Sequence, residues 1–462
     1  MNKPQSFRIE DLTEPLTFPV EAYICPDYAR AERDRLWPKV WQHAGRVEEI
    51  PNVGDYLTYE IGRESIIVIR TARDRIKAYY NVCSHRARQL IDTPPGTNGV
   101  HGNKQGFVCG FHAWRYNIDG ECTYKHDEAD WKGCLSNPAR TRLTEVKVDT
   151  WGGWLFVNMD PEAKPLREYL DEAADILDPF ELEKMRYKWR QWVIFDCNWK
   201  TAIEAFMEPY HVTGTHSQML ANGDYYAYSA AHGIHGVSGF DVRKTAGASS
   251  EKEASSVTRT GKAGKDPRVS TYELQKEIYE TVNNASTTLT LVNAAKRLVD
   301  ELPEGTPAPE VIKHWLKRAR EDDAARGVIW PTITPEQQGK AGLAWSVFPN
   351  MSILQGITFA LCYRARPYGD DPNKCIFEAY AIERFPPGEE PKTEWVYAEA
   401  TQEKWGLVLS QDFSNMAAVQ RGMHSRGFRG TLPNPHQERK VTNFHRVLAD
   451  VMGAGYLHLL DK

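Results

Sequence analysis

Between residues 55 and 82 the chain alternates apolar and polar positions in three short runs: DYLTYEI (55–61), SIIVIRT (65–71) and IKAYYNV (76–82). Each is bounded by Gly, Asp or Arg and reads as a half-buried strand. GFVCGF (106–111), RYNIDG (115–120) and GGWLFVNM (152–159) continue the pattern, so a small antiparallel β domain is predicted over residues 40–160. Residues 26–43 space their apolar side chains as a helix does, and residues 1–39 are assigned to an N-terminal helical segment of a second, larger part, which resumes at 161 and runs to 462. There LAWSVFPNMSILQG (343–356), FALCYRARPYG (359–369), KCIFEAYAIERF (374–385) and TEWVYAEA (393–400) read as strands, with helical periodicity after them. Strands followed by helices predict an α+β domain in which an antiparallel sheet is covered by helices on one face.

Residues 241–326 break this pattern. They carry 15 Lys/Arg and 14 Asp/Glu, include polar stretches such as TAGASSEKEASS, and hold two helix candidates, at 271–301 and 308–324. They read as an insertion that caps a pocket, makes a subunit contact or is a solvated excursion. Residues 217–240, rich in Tyr, Ala and Gly, suit a pocket wall, with His232 and His235 as ordinary turn histidines.

Composition narrows the function. With 57 basic and 62 acidic residues the net charge is -5, which argues against a protein built to coat nucleic acid. Fourteen Trp, 21 Tyr and 16 Phe exclude disorder for most of the chain. No run approaches the length of a membrane span, and the N-terminus has no apolar signal core, so a cytoplasmic protein is expected. Eight cysteines spread over 462 residues are too sparse for a disulfide scaffold.

Two of those cysteines stand beside histidines. Cys83-Ser-His85 ends a strand-like run, and Cys109-Gly-Phe-His112 follows a polar, Gly/Pro-rich loop. Two thiolates and two imidazoles could hold zinc or a two-iron, two-sulfur centre. Zinc fingers pair like residues at wider spacings; here each arm supplies one Cys and one His. That symmetry suits a cluster whose irons take two Cys and two His respectively. A zinc-containing binding protein is the alternative that the arms leave open.

A second constellation lies downstream. Glu208-Pro-Tyr210-His211 is followed by Val-Thr-Gly-Thr-His216. Glu208 and His211, at i and i+3, are expected to share a helix face. His211 and His216 are five apart, a spacing that Gly214 could accommodate. Two histidines and a carboxylate form the facial triad of non-haem Fe(II), with positions left open for oxygen and substrate. The third ligand has to come from elsewhere in the chain.

The cluster arms resemble the Rieske motif, and the whole layout resembles the large (α) subunit of Rieske non-haem iron aromatic-ring-hydroxylating oxygenases. E-x2-H-x4-H resembles the family's iron motif, and Asn198-Trp-Lys200 its lead-in. Asp412-Phe-Ser-Asn415 with the trailing Gln420-Arg-Gly resembles its D-x2-N signature. The resemblance implies a [2Fe-2S] cluster on Cys83, His85, Cys109 and His112, and Fe(II) on His211, His216 and Asp412. An aspartate at the start of a helix is favoured by the local dipole, and a Gln-Asp step following Val408-Leu-Ser410 can also point inward from a strand end. The resemblance also implies that Glu208 joins the two metal centres across a subunit boundary, with Tyr210 packed beside it.

Three positions depart from the family. Ala87 and Ala113 stand where Gly is usual, one methyl group more in each arm. Ala205 also replaces an Asn that many members have.

The implied activity is that of a terminal oxygenase using O2 to hydroxylate an aromatic compound, by cis-dihydroxylation. Monooxygenation or O- or N-demethylation of an aromatic or small amine substrate is the alternative. The chain has no G-x-G-x-x-G dinucleotide fingerprint. Electrons are therefore expected from a ferredoxin, an NAD(P)H-dependent reductase, or both. A homotrimer is expected, with or without a small β subunit.

Overall fold

The computed structural model describes residues 16–221, 226–240, 265–453 and 458–459. The chain divides into two compact units. One comprises Pro26–Tyr169 with Arg366–Asp371, and the other comprises the remainder.

The first unit is built on a seven-stranded antiparallel sheet. In spatial order its strands are Gln42–Arg46, Trp154–Asn158, Glu145–Trp151, Arg75–Tyr80, Glu64–Ala72, Asp55–Ile61 and His101–Asn103. The three alternating runs form neighbouring strands, as their pattern requires. Ile66, Ile67, Val68 and Ile69 are all fully buried, because this central strand is covered on both faces. A three-stranded sheet of Gly106–Val108, Arg115–Asn117 and Cys122–Tyr124 completes the unit. Helix Pro26–Arg35, expected with the larger part, belongs to this unit. The stem of Arg33 lies over the Gly62 turn of the sheet, and its guanidinium pairs with Asp370 at 2.7 Å.

The second unit has an eight-stranded sheet. Its order is Ala227–His232, His235–Phe240, Ala344–Val347, Met351–Gln355, Phe359–Tyr368, Asp371–Glu383, Arg186–Phe195 and Val396–Tyr397. All pairings described are antiparallel except the short one between Arg186–Phe195 and Val396–Tyr397. Helices Leu407–Met423 and Arg439–Met452 supply the main apolar cover. The molecule is thus α+β, a small antiparallel domain near the N-terminus with a larger sheet-and-helix domain. No helix among the described residues is long and apolar enough to cross a membrane.

The helix candidate at 271–301 is broken. The chain forms helices Pro267–Thr281, Leu289–Lys296 and Leu298–Glu301, and between the first two Asn283, Asn284 and Ser286 take positive φ. Asn tolerates that conformation through its short polar side chain, which is why the break falls there. The second candidate forms as Ala308–Ala325. Part of the charged stretch, 241–264, lies outside the described residues. His232 and His235 flank a tight hairpin: His232 meets Glu172 at 2.6 Å, and buried His235 accepts the Phe348 N–H through Nδ1 at 3.1 Å.

Candidate metal centres and substrate cavity

Each cysteine–histidine arm is a tight loop closed by its own backbone. Ala87 N–H donates to Cys83 O and Ala113 N–H to Cys109 O, both at 3.0 Å. Cys83 N–H donates to Arg88 O, and Cys109 N–H to Trp114 O, both at 2.8 Å. The two loops bring both thiols into one apolar cluster with Ile67, Tyr79, Phe107, Trp114 and Tyr116.

The imidazoles of His85 and His112 lie edge to face, 4.6 Å between centroids, and His85 stacks on Trp114 at 4.8 Å. The Nδ1 atoms of His85 and His112 are both buried and have no hydrogen-bond partner among the described residues. Two orphaned nitrogens beside two buried thiols are a costly arrangement. Burial also pushes the Cys83 thiol up. A metal centre that takes nitrogen and thiolate as ligands relieves both costs, so these residues fit the cluster. Tyr116 adds its hydroxyl, 3.1 Å from Cys83 Sγ.

The second centre is assembled from three segments. Helix Trp199–Glu204 starts at Asn198, whose Oδ1 accepts the Lys200 N–H at 3.0 Å. The helix ends at Glu204, so Glu208 and His211 lie in a turn and not on one helix face. Pro209 lacks the N–H that a continuing helix needs. His211 then precedes the short helix Val212–Thr215, and His216 closes it. One helical turn thus brings the two imidazoles to 5.3 Å between centroids.

Asp412 is in the second turn of helix Leu407–Met423, not at its start. Val408, Leu409, Asp412, Phe413, Met416, Gln420 and Met423 form the buried face, and their spacing carries the helix back through Val408, Leu409 and Ser410. Asp412 Oδ1 lies 2.9 Å from His216 Nε2 and 3.5 Å from His211 Nε2. One ligand atom from each of the three residues lies within 4.8 Å of the others.

The outer nitrogens of both rings are held. His211 Nδ1 meets Glu208 Oε1, and His216 Nδ1 meets Gln411 Oε1, each at 2.9 Å. Carboxylate and amide oxygens only accept, so both Nδ1 atoms carry hydrogen and both Nε2 atoms are the ones turned to the shared centre. Burial works against charge on His211, but the Glu208 hydrogen bond and the Glu208 and Asp412 carboxylates outweigh it and raise the imidazole to about 9. This negative surrounding suits a bound cation. Gln411 was not singled out by sequence. Its only signal is adjacency to Asp412, since its partner His216 is 195 positions away. Tyr210, expected beside Glu208, is 42% exposed and is not among the residues lining the cavity.

His211, His216 and Asp412 open onto a cavity of about 360 Å³. Its walls are largely apolar, with Phe206, Phe240, Leu354, Phe359 and Leu361 among them, and Tyr363 stacked on Phe206 at 4.0 Å. Helix Pro267–Thr281, from the stretch read as an insertion, contributes Leu274 and Ile278. A second cavity is also lined by Glu208, His211 and Asp412, together with Glu204 and Glu438.

An antiparallel domain with two Cys/His arms and a sheet-and-helix domain with a two-histidine, one-carboxylate cluster define a two-centre iron oxidoreductase. Residues 40–133 match the Rieske [2Fe-2S] domain, and residues 166–286 and 293–454 match the ring-hydroxylating α subunit catalytic domain. The chain belongs to this family of Rieske oxygenase large subunits, whose two domains carry one [2Fe-2S] cluster and one Fe(II) per chain.

The chain is 28% identical over 189 residues to the glycine betaine monooxygenase oxygenase subunit of Pseudomonas aeruginosa, covering 41% of this chain and 42% of that protein. It is 32% identical over 200 residues to the large oxygenase component of the naphthalene 1,2-dioxygenase system of Pseudomonas putida, covering 42% and 43%. The matched stretch thus spans less than half the length of either relative. The fold is also that of a quaternary ammonium Rieske monooxygenase crystallised with L-carnitine, with a TM-score of 0.62 at 17% identity, over 98% of this chain and 99% of that one.

Proposed function

We propose that this chain is a terminal oxygenase component that hydroxylates an aromatic compound with O2, by cis-dihydroxylation. Cys83, His85, Cys109 and His112 hold the [2Fe-2S] cluster, and His211, His216 and Asp412 hold the Fe(II). The cluster supplies single electrons and the Fe(II) supplies oxygen activation when bound. The protein's own part is to hold both Nε2 atoms and Oδ1 at one point, to keep that point dry, and to seat the substrate against it. A ferredoxin, an NAD(P)H-dependent reductase, or both deliver the electrons, and the working assembly is a homotrimer, with or without a small β subunit.

The apolar cavity carries this reading. Among the described residues, carboxylates enter it only at the metal end, as Glu208 and Asp412, and most of the remaining lining is aromatic or aliphatic, with Ser238, Ser286 and Gln355 as its neutral polar members. An apolar ring gains about 25 cal/mol for each Å² it buries there.

The second reading is monooxygenation or demethylation of a quaternary ammonium compound or other small amine. The similarity to glycine betaine monooxygenase favours it. Incubation with a surrogate reductase, NADH and a panel of arenes, aryl methyl ethers and betaines separates the two. A cis-diol carrying both atoms of labelled O2 supports dihydroxylation. Formaldehyde with a demethylated product moves the assignment to the second reading, and no substrate-dependent oxygen uptake overturns both.

A further inference from the structure

The second unit contains a buried ammonium group that no carboxylate pairs with among the described residues. Lys440, in helix Arg439–Met452, is 2% exposed. Its Nζ donates to Ser238 Oγ at 3.0 Å and to the Ala344 carbonyl at 3.1 Å, both neutral acceptors. An ammonium has three donors, and a buried cation is expensive without a counter-charge. The fold makes room for it nonetheless. The lysine stem passes over Gly236, where an added Cβ would lie 2.4 Å from Lys440 Cγ. The lysine's own N–H is fixed by Ser229 Oγ at 2.7 Å.

Both acceptors belong to residues that line the cavity shared with His211, His216 and Asp412. Ser238, Ala344 and Leu354 are cross-strand partners in one row of the sheet, so they share a face, and Leu354 is part of the apolar wall. Ser238 Oγ accepts from the ammonium, which leaves its own hydrogen to donate elsewhere. No protein acceptor takes that hydrogen among the described residues. The cavity wall therefore carries one hydroxyl backed by a positive charge, in surroundings whose other polar members away from the metal end, Ser286, Gln355 and the Tyr363 hydroxyl, are all neutral.

We infer that Ser238 and Lys440 form an anchor for an anionic substituent, and that the substrate is an aromatic carboxylate. Its ring lies in the apolar slot and its carboxylate accepts from Ser238, supplying the counter-charge Lys440 lacks. A charge-assisted hydrogen bond of this kind is roughly twice as strong as a neutral one. The inference rests on the aromatic reading above, and it is tested by binding without turnover.

The test is calorimetric titration of the holoenzyme below about pH 7, where Lys440 is protonated, with two matched pairs, benzoate against benzamide and 2-naphthoate against 2-naphthamide, and with glycine betaine. In the wild type at least one acid is expected to bind about tenfold more tightly than its amide. Lys440→Met keeps the stem's volume and removes the charge; it should bring the preference below about twofold while the visible cluster spectrum stays unchanged. Ser238→Ala should lower the preference at least about threefold, and it decides alone if Lys440→Met does not fold.

The inference is overturned if neither acid outbinds its amide, if the preference survives Ser238→Ala, or if glycine betaine binds more tightly than either acid. Absence of oxygen uptake with every substrate would sink the oxygenase reading and leave this binding result standing.

Discussion

Glu208 holds His211 with both oxygens of one carboxylate: Oε1 lies 2.9 Å from Nδ1, and Oε2 accepts the backbone N–H of His211 at 2.9 Å. Ring and backbone are fixed by the same group, so the direction in which Nε2 points is set before any metal arrives. The chain between them turns at Pro209, which lets the Glu208 side chain fold back onto a residue three places ahead.

Glu208→Gln keeps the volume but removes the charge, and its amide can satisfy only one of the two N–H groups as acceptor. Turnover is expected to fall at least ~10–100-fold, the usual cost of losing a partner that orients a metal ligand. Both metals should stay bound, because the three proposed iron ligands and the four cluster residues are untouched. Reoxidation of the reduced cluster, followed by its visible absorption in single turnover, should slow in parallel. Normal product formation and normal reoxidation would remove Glu208 from the path.

The parts of this molecule that were legible in its sequence are those written at short range. Alternation over 55–82 gave the strands because period two and half burial are local properties. The C-x-H and C-x2-H arms stand out for the same reason. Where sequence misled, a local pattern had two readings. Val408 and Leu409 suit a strand end as well as a helix, and only their burial alongside Asp412, Phe413 and Met416 decides. Gln411, Ser238 and Lys440 act through partners about 195 to 202 positions away, which no spacing rule reaches.

Ala87 and Ala113 both adopt left-handed backbone, with φ of 62° and 57°. A Cβ in that region costs roughly 1–2 kcal/mol, which glycine avoids. Each cluster arm therefore carries strain that its Ala places there. Ala87→Gly and Ala113→Gly should each stabilise the cluster unit by up to ~1 kcal/mol, after the extra freedom glycine has in the unfolded chain is offset. The check is the temperature at which the cluster's visible absorption is lost. It should rise in each variant and rise further in the double, and a fall in both single variants would contradict the strain.

Burial lowers the Lys440 ammonium to about 7, with Glu208 pulling the other way. In the unfolded chain a lysine titrates near 10.4. Between those values the unfolded state binds more protons, so stability should increase as pH rises from about 7 to about 10. Below about 7 both states are protonated and the full cost of the buried charge is present. The slope is at most ~1.4 kcal/mol per pH unit for one group. Lys440→Met should lack this contribution. Urea midpoints measured at pH 7, 8 and 9 for both proteins test it: the advantage of Lys440→Met should shrink with each step upward, and parallel curves would contradict a lowered Lys440.

Two neutral imidazoles leave the charge of Fe(II) uncompensated, and Asp412 is the carboxylate that the structure places within reach of both. Other acids near it in sequence are ruled out by position. Glu403 side-chain atoms are 83% exposed beside Lys404. Asp370 belongs to the cluster unit, where it pairs with Arg33 and Arg63. Asp412→Ala should therefore lose the mononuclear iron while keeping the cluster, whose four residues belong to a separate unit. Iron should fall from three to two atoms per chain, and the visible spectrum should persist. Oxygenation should drop below ~1% of wild type, because an iron site lacking its anionic ligand fails in affinity and in geometry together. Asp412→Asn separates those two effects: it keeps an oxygen donor of similar reach but no charge, so weak iron binding is expected at high Fe(II) without recovery of full turnover. Retention of three irons with full activity in Asp412→Ala would reopen the choice of ligand. Retention of iron with activity lost would leave the carboxylate with a role in the reaction other than holding the metal.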